Sequence, residues 1–210
     1  INEWVEQKDL GIDPRLRLFM RVCAAIGHAH QNLVVHRDIT PSNVLVNTDG
    51  IVKVIDFGIA KPHSQDDPGD ETSHSSKSLA SLSFTPGFAA PERSRGAAAN
   101  TLSDVYSLGK LLDAMLDGRD IPVDLGSIID KATQPDPALR YATVSDLSSD
   151  VQNYLDHYAV EAHSGGRVYR AGKYLRRHRV FATFATIFVL GLVGAFSLTL
   201  LQYQRAEAER

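Results

Sequence analysis

Apolar residues return every three or four positions along Leu16, Phe19, Met20, Cys23, Ile26 and Gly27, the spacing of one buried helix face. Asp13-Pro14 stands just ahead of them. Proline suits a first helical turn, so a helix is predicted from there to about His30. The period then changes. Val34-Val35 and Val44–Val46 are short β-branched runs, Asn47-Thr48-Asp49-Gly50 has turn chemistry, and Ile51–Ile55 returns as a strand. Residues 44–55 therefore read as a β-hairpin, with Val34-Val35 as a further short strand. From Pro62 to Ser83 the chain is rich in Ser, Asp and His with little to bury, which predicts a long loop. Helical spacing resumes over Ser103–Met115 and Val144–Leu155, with Ser103 and Thr143 as the expected N-caps.

Val180–Leu201 follows no amphipathic rule: it is 22 residues without a charge. At about 1.5 Å per residue such a helix reaches roughly 33 Å, enough to cross a bilayer. A single transmembrane helix is the expectation. Arg170, Lys173, Arg176, Arg177 and Arg179 precede it, whereas Arg205 and Arg210 follow, interleaved with Glu207 and Glu209. That excess of positive charge would place residues 1–179 in the cytoplasm, with the chain single-pass in the inner (plasma) membrane. Membrane lipid then becomes an expected partner of the basic stretch 161–179, and residues 202–210 begin an extracytoplasmic segment. Gly191 and Ala195 are four apart, a small-residue spacing that makes a homodimer through the span a further reading.

Charge and composition narrow the classes. The chain has 210 residues, 43% hydrophobic and 22% charged, which suits a globular domain with an appendage. Residues 1–161 carry 23 acids and 14 Lys/Arg, a net charge of −9, which argues against nucleic acid as partner. Cys23 is the only cysteine and falls in an apolar helical pattern, so it reads as a small core residue. His28 and His30 are two apart and face different sides of a helix, so they suggest no metal site.

Three short motifs carry the chemistry. His36-Arg37-Asp38 is followed by Asn43, Asp56-Phe57-Gly58 ends the hairpin, and Ala90-Pro91-Glu92 closes the polar loop. In this order and context they resemble the catalytic loop, metal-binding motif and activation-segment end of eukaryotic-like (Hanks-type) bacterial Ser/Thr protein kinases. The resemblance covers about residues 1–160. It implies an α+β fold, a mainly helical kinase C-terminal lobe with a small β-hairpin, followed here by the single transmembrane helix over 180–201. The small N-terminal lobe, with its glycine-rich loop, strand Lys and partner Glu, is not within these residues. It is expected to precede them in a longer protein, and the fragment alone is not expected to bind ATP well.

The resemblance also assigns roles. Asp38 would orient the attacking hydroxyl or accept its proton, and Asn43 and Asp56 would hold Mg²⁺ against the ATP phosphates. Leu45 resembles the residue beneath the adenine ring, and Thr85 the threonine that contacts the catalytic Asp. Pro86–Phe88 would form a substrate-facing platform. His36 and Phe57 resemble two members of the hydrophobic spine, with Gly58 completing the metal-binding motif. Arg37 resembles the arginine that pairs with an activation-loop phosphate. Glu92 would pair with Arg140, and Asp104 would brace the catalytic-loop backbone. Thr40 is a departure, because kinases of this type usually carry Lys there for the γ-phosphate. Thr72, Ser81 and Ser83 are the expected phosphosites of the polar loop. The implied activity is transfer of the ATP γ-phosphoryl group to a hydroxyl of a protein substrate in membrane-anchored signalling. The alternatives are a pseudokinase serving as a membrane-tethered scaffold and a small-molecule phosphotransferase of the aminoglycoside or choline kinase type.

Overall fold

The computed structural model describes residues 1–58, 85, 87–163, 165–166, 169, 171–173, 183–184 and 187–197. The chain divides into two compact units, Ile1–Asp156 with Val160–Ser164, and His157–Ala159 with Gly165–Arg210. The expected phosphosites Thr72, Ser81 and Ser83, and Pro86 of the platform, lie outside the described residues.

The first unit is built on helices α1 (Asn2–Gln7), α2 (Ile12–Gln31), α3 (Pro91–Ser94), α4 (Thr101–Leu116), α5 (Val123–Ala132) and α6 (Val144–Leu155). Its strands β1 (Val44–Val46) and β2 (Val52–Val54) form an antiparallel pair. Helix α2 packs on α4 and α6, α5 packs on α4 and α6, and the hairpin lies on α2. The α2 core face is Leu16, Leu18, Phe19, Val22, Cys23 and Ile26, and burial pushes the Cys23 thiol well up. Arg15 is buried on the same helix with its guanidinium bonded to two backbone carbonyls. Its Nε donates to Leu10 O at 2.8 Å and its Nη1 to Met115 O at 2.5 Å, satisfying a carbonyl in the last turn of α4. Helix α4 carries the densest apolar face: Leu108, Leu111, Leu112, Met115 and Leu116 are all fully buried.

The hairpin pairs Val44 with Val54, Leu45 with Lys53 and Val46 with Val52. Its turn is closed by Gly50 N donating to Asn47 O at 3.0 Å, and Gly50 sits at φ 75, where only glycine is unstrained. Val34-Val35 is not a strand. The Val34 N–H is taken by Ala29 O at 2.9 Å at the end of α2, and the next donor but one, His36 N, by a side chain, so no ladder forms. Ser103 is not the N-cap of α4 either. The helix starts earlier and is capped by Asn100, whose Oδ1 accepts from Ser103 N at 2.9 Å while Ser103 Oγ accepts from Asn100 N at 3.3 Å. Thr143 does cap α6, in the same reciprocal arrangement with Asp146.

In the second unit the longest described helical run is residues 187–197. Among the described residues no helix is long and apolar enough to cross a membrane. This overturns the expected transmembrane helix over 180–201, and the fold class is corrected accordingly. Residues 180–182, 185–186 and 198–201 of that stretch lie outside the described residues, as do Arg170, Arg176, Arg177 and Arg179.

Candidate active site

The site is assembled on the loop that leaves α2 and enters β1. Asp104, 1% exposed in the first turn of α4, fixes that loop by its backbone. Its Oδ2 accepts from His36 N at 2.8 Å and its Oδ1 from Arg37 N at 2.9 Å. His30 Nε2 meets Oδ2 from the end of α2, also at 2.8 Å. A buried carboxylate is tolerated here because hydrogen bonds satisfy both oxygens.

His36 is fully buried and joins two motifs. Its Nδ1 accepts from Asp38 N at 3.3 Å, so Nε2 must carry the proton that is donated to Ile55 O at 3.0 Å. Its ring meets that of Phe57 at 4.6 Å between centroids, tilted by 50°. Gly58 N donates to His36 O at 3.0 Å, and a Cβ at Gly58 would lie 3.2 Å from that same oxygen. A side chain there would need the His36 carbonyl to give way by a few tenths of an ångström. Arg37 and Asp56 both adopt positive φ, 76° and 58°, conformations that cost about 1–3 kcal/mol each away from glycine. Both belong to the expected motifs, and backbone strain of this kind concentrates at functional sites.

Around Asp38 the structure brings together Asn43 and Thr85. Asn43 Nδ2 donates to Asp38 O at 2.9 Å and approaches Asp38 Oδ2 at 3.5 Å. Thr85 donates to Asp38 Oδ1 from both N and Oγ1, each at 3.3 Å. Committing Nδ2 fixes the Asn43 amide, so Oδ1 is its free acceptor. Neither that oxygen nor the Asp56 carboxylate has a hydrogen-bond partner among the described residues. The donor set is all oxygen, which fits Mg²⁺, a cation held by one or two protein ligands with phosphate and water completing its shell. Leu45 stands on β1 at 49% exposure, an apolar surface of the kind an adenine ring would cover.

Beyond the loop, Phe88 is positioned by its N donating to Thr85 O at 3.2 Å and by Ser107 Oγ donating to its O at 2.8 Å. Glu92 and Arg140 form a two-bond fork, with Nη1 to Oε1 at 2.8 Å and Nη2 to Oε2 at 2.7 Å. Arg140 also donates to the carbonyls of Gln134, Leu102 and Pro135. Burial alone would raise the Glu92 carboxyl. The hydrogen bonds from Arg140 and the backbone, the Arg140 charge and the Ser103 hydroxyl outweigh it and hold the carboxyl below the usual glutamate range. Thr40 is 1% exposed and shares a 2.8 Å hydrogen bond with Ser42 Oγ. It thus fills a buried polar slot where the resembling kinases carry a cation. Arg37 directs its guanidinium at Gly58 O, at 3.3 Å. The structure adds two residues that the motifs leave out: His30, beneath Asp104, and Arg93, which donates to Arg37 O.

Comparison with known proteins agrees with this architecture. Residues 2–191 match the protein kinase domain, and the chain belongs to that family, with bacterial Ser/Thr kinases among its relatives. It is 33% identical over 169 residues to the serine/threonine-protein kinase PrkC of Bacillus subtilis, covering 67% of this chain and 25% of PrkC. It is 29% identical over 171 residues to PknB of Mycobacterium leprae, covering 68% of this chain and 25% of PknB. The chain thus spans about a quarter of the length of these curated relatives. The crystal structure of the Mycobacterium tuberculosis PknI kinase domain superposes with a TM-score of 0.51 at 22% identity, over 69% of this chain and 56% of that one. This last likeness is one of fold.

Proposed function

We propose that this chain is the large lobe of a protein Ser/Thr kinase that transfers the γ-phosphoryl group of Mg-ATP to a hydroxyl of a protein substrate. One observation carries the reading. The Asp38 carboxylate is held by Thr85 on one oxygen and approached by Asn43 on the other, and Ile55 N donates to Asn43 O at 3.0 Å, so Asp56 follows directly on a residue bonded to Asn43. When bound, Mg-ATP supplies the phosphoryl group and the charge neutralisation that its transfer needs. Asp38 then orients the substrate hydroxyl and takes its proton as the new P–O bond forms and ADP departs. Asn43 and Asp56 would hold the cation, and Leu45 would support the adenine. Gly87 and Phe88, the latter anchored by Ser107, would face the substrate chain.

The test uses the natural full-length protein, with Asp38→Asn alongside. Incubation with Mg-ATP and mapping of phosphosites by mass spectrometry should give phosphate on added protein, or on residues 62–85, only with the parent. Activity should fall by at least about a hundredfold in Asp38→Asn, the range for losing a positioned base. Equal phosphate in both forms, or none in either, would sink the reading. The second outcome would favour a pseudokinase, for which Thr40 in place of a cation is the relevant observation.

A further inference from the structure

Arg37 is held in its positive-φ conformation from three sides. Its N–H goes to Asp104 on α4, its guanidinium donates to Gly58 O in the Asp-Phe-Gly motif, and its carbonyl accepts from Arg93 Nη1 on α3. The third contact sets the geometry next to the reacting group. Arg37 C=O and Asp38 N–H belong to one rigid peptide unit. The N–H end makes a long bond of 3.3 Å to His36 Nδ1, whereas the carbonyl end receives a charged donor, the stronger kind of bond. Together they set the tilt of that plane, and with it the direction in which the Asp38 side chain leaves the backbone. Arg93 is well placed to do this. Its neighbour Glu92 is locked to Arg140, so the short helix that carries Arg93 is anchored in the core of the lobe. Thr40 brings no cation to the loop, and Arg93 brings one onto its backbone from outside.

We propose that Arg93 is a positioning residue for Asp38. Through the Arg37 carbonyl it couples the helix after Ala90-Pro91 to the catalytic loop, so that transfer rate depends on how that helix is seated. The inference rests on the kinase reading given above.

The experiment measures kcat, KM for Mg-ATP and melting temperature of the full-length protein as parent, Asp38→Asn, Arg93→Met and Arg93→Lys. Arg93→Met keeps the apolar stem and removes the donor. Its kcat should fall between about ten- and a hundredfold, the cost of a small misplacement of a catalytic group. Its KM for Mg-ATP should stay within about twofold, because Asn43, Leu45 and Asp56 themselves are unchanged. Arg93→Lys keeps a charged donor and should recover most of the loss. A kcat for Arg93→Met within about twofold of the parent overturns the proposal. So does a loss that Lys fails to recover, or one matched by an equal rise in KM. If the parent itself transfers no phosphate, or Asp38→Asn equals it, the kinase reading falls and this proposal with it. A parent whose activity depends on Asp38 but not on Arg93 defeats this proposal alone.

Discussion

Replacing Arg140 by Met should destabilise the lobe far more than losing one ion pair at a surface. A surface pair contributes about 0–1 kcal/mol. Here the Arg140 side chain is 0% exposed and its Glu92 partner 15%. Methionine fills the stem but removes two bonds to Glu92, three to the carbonyls of Gln134, Leu102 and Pro135, and the stacking over Tyr106 at 4.9 Å. Breaking one side of a buried pair costs about 3–5 kcal/mol, because the other charge stays behind uncompensated. Glu92 keeps the Ser103 hydroxyl at 3.2 Å and can protonate at about 1.4 kcal/mol per pKa unit, so the lower end of that range applies. The expected loss is about 3 kcal/mol, or about 6–12 °C in melting temperature for a domain of this size.

Acidity supplies an independent check of the same reasoning. The Glu92 carboxyl is held low in the folded chain, so its contribution is fully present above the ordinary glutamate value of about 4.3 and is lost as pH falls through the lower folded value. The gap between parent and Arg140→Met should therefore narrow as pH falls from about 5 to about 3. Glu92→Gln keeps an acceptor for Arg140 and leaves its three carbonyl bonds, so it should cost less than Arg140→Met. Urea unfolding followed by far-UV circular dichroism, across pH, measures all three. An Arg140→Met loss under about 1 kcal/mol, or one independent of pH, would refute the account.

Three further substitutions test the scaffold. A Cβ at Gly109 on α4 would lie 2.7 Å from Ala132 Cβ and 2.8 Å from Thr133 Cγ2, so Gly109→Ala should cost about 1–3 kcal/mol despite the better helix propensity. Gly126→Ala on α5 meets nothing within 4 Å and should instead stabilise by about 0.4–1 kcal/mol; equal signs in a melting comparison would discredit the packing argument. Thr143→Ala removes the acceptor for Asp146 N at 3.1 Å and should cost about 1 kcal/mol by denaturant unfolding, with little effect expected on the distant Asp38 loop.

The elements that sequence pattern anticipates are those whose causes are local. Helix α2 announces itself through Leu16, Phe19, Cys23 and Ile26, and the hairpin through Asn47–Gly50 between two β-branched runs. Thr143 is legible as a cap because its partner, Asp146, is three residues away. Ser103 misleads for the same local reason: a capping box puts a polar side chain at both its ends, and the sequence alone does not say which of the two residues begins the helix. Val34-Val35 misleads because β-branched residues favour a strand only when a neighbouring strand exists, and here a helix end and Asp104 take the nearby donors. The apolar stretch from Val180 reads as membrane-spanning by composition. Among the described residues no helix is long and apolar enough to carry that reading.

The site divides along the same line. Asp38, Asn43 and Asp56 are legible because His36-Arg37-Asp38, Asn43 and Asp56-Phe57-Gly58 follow one another in the chain and resemble kinase motifs. Asp104 and Arg140 lie 66 and 102 positions beyond Asp38. On helical pattern alone each is a surface charge, and only the family resemblance marks them as buried. Burial reverses their energetics: an exposed carboxylate contributes little, whereas Asp104 determines where the backbone N–H groups of His36 and Arg37 can be. Arg93 escapes both routes. It belongs to no motif, it follows Glu92 in an unremarkable charged run, and its partner is a backbone carbonyl, which leaves no trace in side-chain identity. Residues that act by holding the backbone are therefore the class most easily missed in a sequence. In this chain they connect the Arg140–Glu92 anchor to the carboxylate at Asp38.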